Sequence, residues 1–147
     1  MANKKALNIG CGPKSRWIPN TDGVDIIDFG QKYIGDFLKI DIPEKYDIIY
    51  AHHVIEHIPD TIKFMDKVGE VLKGGGILDI RVPQYPHPQA FQDPTHVKFI
   101  PSAVFFLYFT DKSPAGHCYS KHKFSLVGYN NDRYNWELHV VLKKEAL

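Results

Sequence analysis

Leu7-Asn8-Ile9-Gly10-Cys11-Gly12-Pro13 is a short apolar strand that runs straight into a glycine-bearing turn. Glycines at positions 10 and 12 let the backbone turn sharply and carry no Cβ to hold a bound molecule at a distance. At the end of a buried parallel strand, such a turn suits a nucleotide-bearing ligand. A strand ending in Gly-x-Gly is common, however, so its meaning rests on the residues placed after it at fixed spacing.

Those residues come in order. Gly23-Val24-Asp25-Ile26-Ile27 predicts a second strand, and it delivers Asp25 where a carboxylate can accept from two ribose hydroxyls. The link between these strands holds Pro13 and Pro19, which predict a one-turn helix or an irregular loop rather than a full crossover helix. Tyr33-Ile34-Gly35-Asp36-Phe37 predicts a very short third strand that ends on an acid beside an aromatic. Tyr46-Asp47-Ile48-Ile49-Tyr50-Ala51 predicts a fourth, running into His52-His53-Val54-Ile55-Glu56-His57. Ligands of open parallel sheets gather outside the carboxyl ends of strands, and these histidines fall there. Asp60 then serves as N-cap to a helix with apolar residues at Ile62, Met65, Val68 and Leu72, which Gly74 ends. Ile77 to Val82 predicts the fifth strand, ended by Pro83.

Length and charge bound the answer. With 147 residues, 44% of them hydrophobic, the chain can bury one core, so a single domain over residues 1–147 is expected. A formal net charge of +1 with interspersed signs offers no basic track, so no nucleic-acid partner is expected. Neither a leader nor a membrane-spanning run is predicted from the sequence, and Cys11 and Cys118 read as free thiols. The expected location is cytoplasmic, without a membrane partner.

The stretches Leu7 to Pro13, Gly23-Val24-Asp25, Tyr46 to Ala51, Val54-Ile55-Glu56-His57-Ile58-Pro59-Asp60 and Val71-Leu72-Lys73-Gly74-Gly75-Gly76 together resemble successive motifs of class I S-adenosylmethionine-dependent methyltransferases. The resemblance runs over residues 6–82, and an ordered set is far more specific than any one motif. It implies an α/β, Rossmann-like, mostly parallel seven-stranded sheet of order 3-2-1-4-5-7-6 with strand seven antiparallel. The sequence supports that ending on its own. Phe124 to Tyr129, a polar turn at 130–133 and the alternating run Tyr134 to Leu142 predict a terminal hairpin.

The resemblance also implies a cofactor, S-adenosyl-L-methionine, released as S-adenosyl-L-homocysteine. Gly10, Cys11 and Gly12 would approach its methionyl part, and Asn8 stands where the family often has an acid. Asp25 would hold the ribose. Asp36 would accept from the adenine amino group, with Asp41 close enough to compete, and Phe37 would pack on the ring. Ala51 and His52 would line the pocket near the sulfonium. Methyl transfer is an in-line displacement, so alignment can supply much of the acceleration. A base is needed only where the acceptor must lose a proton. The candidates are His52, His53, His57, Asp93 and His96.

The Pro-rich segment from Pro83 to Phe99 predicts a lid or substrate wall, and Asp93-Pro94-Thr95-His96 resembles a segment of small bacterial methyltransferases, some linked to sugar modification. A small-molecule acceptor is therefore expected, with a sugar or a sugar-linked hydroxyl or amine as the class that segment suggests. The Asp/Asn-Pro-Pro-aromatic signature of amide and nucleobase nitrogen methylation is absent after the fourth strand. Pro101 to Phe109 predicts a helix with an aromatic core face.

Three rival readings stand beside this one. His53-Val54-Ile55-Glu56-His57 matches the HxxEH pattern of zinc peptidases, although Pro59 would stop the helix that pattern needs. A nicotinamide-dependent oxidoreductase would want a glycine where Ser15 stands. A noncatalytic cofactor-binding or scaffold protein fits the small size. No resident metal is assigned. A divalent ion on His53, Glu56 and His57 would be an accessory to methyl transfer, and His117, Cys118 and His122 lack a fourth ligand at a recognisable spacing.

Overall fold

The structure is a computed structural model that describes residues 3–130 and 136–146. Its strands are β1 (Ala6–Ile9), β2 (Thr21–Asp25), β3 (Tyr33–Ile34), β4 (Tyr46–His52), β5 (Leu72–Pro83), β6 (Phe124–Tyr129) and β7 (Glu137–Lys144). Two α-helices accompany them, α1 (Thr61–Val71) between β4 and β5 and α2 (Ala103–Tyr108) before β6. The seven strands form one sheet in the order β3-β2-β1-β4-β5-β7-β6. All pairs from β3 to β5 are parallel, and β7 runs antiparallel to both neighbours. This is the Rossmann-like order the motifs imply.

Strand alternation sorts the side chains onto two faces. Leu7 and Ile9 of β1 pair with Ile49 and Ala51 of β4, and Leu78 and Ile80 of β5 pair with Leu142 and Val140 of β7. These residues, Phe64, Met65, Val68 and Val71 of α1, and Phe105 of α2 are all buried in one core. Each large side chain fully removed from water there contributes about 1.5–3 kcal/mol before the entropy of ordering is subtracted. The opposite face carries Tyr50, His52, Asp79, Arg81 and His139, all half-buried. Neither the β1–β2 link nor the β2–β3 link contains an α-helix; the first holds only a one-turn 3-10 helix at Lys14–Arg16. Pro13 and Pro19 flank that turn, so the chain crosses between parallel strands without a full helix.

Several boundaries differ from expectation. The stripe of α1 is Phe64, Met65, Val68 and Val71, whereas Ile62 is 41% exposed. Asp60 caps as expected, its Oδ1 accepting from Lys63 N at 3.0 Å. The helix ends at Val71 rather than at Gly74, because Leu72 already has extended backbone and begins β5. The three glycines lie inside that strand, where the register against β4 shifts between Tyr46 and Ile48 and Gly75 takes φ +81°. β3 stops at Ile34, since Gly35 turns at φ +140° and Asp36 O then accepts from Lys39 and Ile40 N–H. α2 is shorter than the predicted 101–109, and Phe109 ends it in the core. β7 keeps the expected alternation with Leu138, Val140 and Leu142 buried, while the predicted turn and residues Tyr134 and Asn135 mostly lie outside the described residues. No described helix is long and apolar enough to cross a membrane.

Candidate active site

At the carboxyl ends of β1, β2 and β4 lies a cleft of about 390 Å³, lined by Gly10, Asp25, Ile26, Asp36, Phe37, His53, Val54 and His57 among others. That size falls within the range of small-molecule and cofactor sites. The glycine turn forms its inner wall. Gly10 sits at φ +67° with no room for a side chain, since a Cβ there would meet Val54 Cγ2 at 2.6 Å. The N–H groups of Gly10 and Cys11 both donate to Val24 O, at 2.8 and 3.2 Å. Gly12 N–H donates to Asp25 Oδ2 at 3.0 Å, and Asp25 Oδ1 accepts from Ile27 N–H at 3.0 Å. Asp25 therefore ties the turn to the end of β2. Each carboxylate oxygen still has a second lone pair for a ligand.

Asp36 also serves the backbone, its Oδ1 accepting from Leu38 N–H at 2.9 Å. It lines the cleft, whereas Asp41 does not. Phe37 is 5% exposed and tilts against Phe64 at 5.6 Å between ring centroids, so it is core packing that also floors the cleft. Other residues expected at a cofactor are not in the lining. Cys11 is buried, and its sulfur lies where a Cβ on Gly23 would meet it at 2.8 Å, beneath β2. Burial pushes its thiol above the ordinary range. Asn8 and Ala51 are buried within the sheet, and Gly12 does not line the cleft.

The histidines part company. His52 turns onto the other face of the sheet, where its Nε2 donates to Asp79 Oδ1 at 2.9 Å. His139 reaches the same oxygen at 3.0 Å. Burial works against ionisation of Asp79, yet these two bonds hold its carboxyl below the ordinary 3.8. The sign comes from linkage. A depressed folded value gives stability that is fully present above pH 3.8 and lost as pH falls through the folded value. Asp79→Asn is expected to flatten that acid limb while lowering stability at neutral pH, as read from melting temperatures between about pH 2 and pH 6. An acid limb identical to that of the parent would refute this assignment.

His53 does line the cleft, and its backbone is left-handed at φ +59°, uncommon outside glycine. Its Nε2 donates to Glu137 Oε2 at 2.6 Å, and its ring stacks on Trp136 at 5.3 Å. Glu137 in turn accepts from Arg81 Nη1 at 2.7 Å. Although burial opposes it, the Arg81 and His53 bonds hold the Glu137 carboxyl below the usual range. The HxxEH arrangement does not form, because a left-handed His53 followed by a single 3-10 turn at Ile55–His57 cannot place both histidines on one helix face.

His57 instead faces the Pro-rich loop. Its Nδ1 lies 2.9 Å from Thr95 Oγ1 and 3.2 Å from Thr95 O, and its ring meets His96 edge-on at 4.8 Å. Thr95 Oγ1 donates to Asp93 Oδ1 at 2.7 Å. This bond and that from Thr95 N–H hold Asp93 below its ordinary value. His57, Asp93 and His96 thus come together beside the cleft. Among the described residues His117, Cys118 and His122 form no metal-ligand group: the His122 ring packs where a Cβ on Gly69 would stand, 2.2 Å from its Cδ2.

The model of a methyltransferase domain family matches residues 2–139. This chain belongs to that methyltransferase family. No curated protein matches it in sequence. Among solved structures it is similar to an S-adenosylmethionine-dependent methyltransferase from Clostridium acetobutylicum, with 15% identity and a TM-score of 0.65 over 97% of this chain and 84% of that one. It is also similar to the N-methyltransferase NodS from Bradyrhizobium japonicum in complex with S-adenosylhomocysteine, at 14% identity and TM-score 0.66 over 97% and 79%. A third likeness is to 1,6-didemethyltoxoflavin-N1-methyltransferase from Burkholderia thailandensis, bound to 1,6-didemethyltoxoflavin and S-adenosylhomocysteine. There the identity is 12% and the TM-score 0.65, over 97% and 72% of the two chains. Membership of a methyltransferase family replaces the peptidase and oxidoreductase readings.

Sequence reasoning missed Arg81, Glu137 and Trp136. They stand far along the chain from His53: the parallel register that sets Arg81 opposite His52 brings the first beside it, and the antiparallel register that sets Glu137 opposite Pro83 brings the other two. The predicted hairpin held the signal, but its register could not be read without the turn.

Proposed function

We propose that this methyltransferase transfers a methyl group from S-adenosylmethionine to a small-molecule acceptor, with a sugar or sugar-linked hydroxyl or amine as the favoured class. The observation that carries the reading is an aromatic cluster on the Pro-rich loop, the loop whose His96 meets His57 of the cleft lining. Tyr85, Phe91 and Phe99 are 50%, 46% and 50% exposed and form a continuous ring cluster, with centroids 5.7 and 4.3 Å apart. They share their loop with His87, Gln92, Asp93 and Thr95. Exposed rings interleaved with polar groups suit a ligand with one C–H face and many hydroxyls.

Cofactor recognition is built from the cleft. Asp25 accepts from the ribose hydroxyls, Asp36 from the adenine amino group, and exposed Ile26 with Phe37 gives the base an apolar contact. The N–H groups of Gly10, Cys11 and Gly12 already donate within the protein and are not free for the methionyl carboxylate, while the methionyl ammonium, itself a donor, would be met by carbonyl oxygens of the turn. In the transfer the S–CH3 bond breaks as the bond from methyl carbon to acceptor oxygen or nitrogen forms. The sulfonium leaves as a neutral thioether. Where the acceptor must lose a proton, His53 is the favoured base: Glu137 fixes Nε2 as the protonated nitrogen and leaves Nδ1 as acceptor. The 1,6-didemethyltoxoflavin bound by the Burkholderia thailandensis neighbour is a small molecule, which supports an acceptor of this size class.

The test is turnover with a labelled methyl donor against a panel of sugars, nucleotide sugars and amino sugars, with mass spectrometry for one added methyl. Methylation of a sugar-class acceptor, lowered in His53→Ala more in kcat than in KM, is expected. Turnover confined to protein or nucleic-acid acceptors would overturn the reading.

A further inference from the structure

We propose that Glu56, His57 and His96 form a binding site for a divalent transition-metal ion on the wall of the cleft. The ligand atoms of these three residues all lie within 4.8 Å of one another. Glu56 Oε1 and His57 Nε2 are already 3.5 Å apart, close to the roughly 3.4 Å between two tetrahedral ligands at metal bonds of about 2.1 Å. Bringing the widest pair, at up to 4.8 Å, to that spacing takes a movement of about 1.4 Å shared between two side chains.

Two independent features point to a cation. The Glu56 side chain is 3% exposed, and both of its oxygens are buried without a hydrogen-bond partner among the described residues. A buried carboxyl in that condition is costly in either protonation state. Both histidines are also held in the tautomer a metal needs. His96 Nδ1 lies 3.1 Å from Ala90 O and His57 Nδ1 lies 3.2 Å from Thr95 O. A carbonyl only accepts, so each Nδ1 carries the proton and each Nε2 presents a lone pair to the cluster. Outer partners of this kind orient metal-bound histidines.

The loop that supplies His96 is anchored for the purpose, because Val97 N–H donates to Glu56 O at 2.9 Å. Asp93 Oδ2 lies 3.7 Å from His96 Nε2, near enough to complement the charge. Two imidazoles and one carboxylate favour zinc, iron(II), manganese(II) or cobalt(II) over magnesium. Three protein ligands leave positions open for solvent or an oxygen of a bound molecule, and His57 also lines the cleft. His53, the ligand the HxxEH pattern suggests, is paired with Glu137 instead.

Titration of the metal-free protein with zinc or cobalt(II), by calorimetry and by the visible spectrum of bound cobalt, tests the site without any methyl donor. Its failure therefore leaves the methyltransferase reading in place. One equivalent per chain is expected, weakened at least about 100-fold by His96→Ala and by Glu56→Gln, and little changed by His53→Ala. His96 lies on a loop, so its variant keeps the test valid should the buried one fold poorly. Absence of stoichiometric binding, or binding indifferent to His96→Ala, would overturn the proposal.

Discussion

Asp25→Ala should lower affinity for S-adenosylmethionine and S-adenosylhomocysteine by about 100-fold or more, the largest effect expected from any single cleft residue. Two losses act together. The carboxylate that accepts from the ribose is gone, and a hydrogen bond to a charged group contributes about 1.5–3 kcal/mol. The same substitution releases Gly12 N–H and Ile27 N–H, which Asp25 holds at 3.0 Å each, so the glycine turn loses its tie to β2. Asp25→Asn separates the two roles. Its amide retains one acceptor oxygen, so it can satisfy one of the two backbone donors while the other faces an NH2 group. Calorimetry should place Asn between the parent and Ala in affinity, with the melting temperature following the same order. Unchanged affinity in the Ala variant would remove Asp25 from the cofactor site.

The fold was readable because its signals are local. Strand β1 and its turn, the acid at the end of β2, the run Tyr46 to Ala51 and the cap at Asp60 each declare themselves within a few residues, and their order specifies the sheet. The boundaries that shifted did so where tertiary pairing overrides a local rule. Three consecutive glycines read as a helix stop, yet pairing of Leu72 with Tyr46 draws the strand back to the helix end and leaves the glycines as a bulge.

The site was readable only by half. Asp25 and Asp36 are legible from their place after strands, but the fates of the three histidines at 53, 57 and 96 depend on backbone geometry that no spacing rule conveys. Strand parity alone sends His52 away from the cleft, since it shares a face with Tyr50 and not with Ala51. The left-handed backbone of His53 then reverses the chain, and the Pro-rich loop returns to set His96 beside His57. A pattern match to HxxEH assumes one continuous helix, and that assumption is what failed.

Gly10→Ala and Gly12→Ala make a matched pair that distinguishes backbone strain from blockage of the cleft. Both glycines are left-handed, at φ +67° and +66°, so either alanine incurs about 1–2 kcal/mol of conformational strain. Their surroundings differ. A Cβ at position 12 meets nothing closer than Arg16 Cδ at 3.9 Å, an ordinary contact with a flexible side chain. A Cβ at position 10 lies 2.6 Å from Val54 Cγ2, and both residues line the cleft. Relief must move Val54, and with it the wall leading to His53 and His57, or displace the turn that Val24 O holds through two N–H groups. A shift near 1 Å at a reacting centre costs about 100-fold in rate. Gly12→Ala should therefore lower the melting temperature while keeping cofactor affinity within about threefold. Gly10→Ala should lower both, with methyl transfer reduced about 100-fold. Equal losses in the two variants would mean that strain alone governs the turn, and that close approach of the backbone at Gly10 plays no part in holding the cofactor.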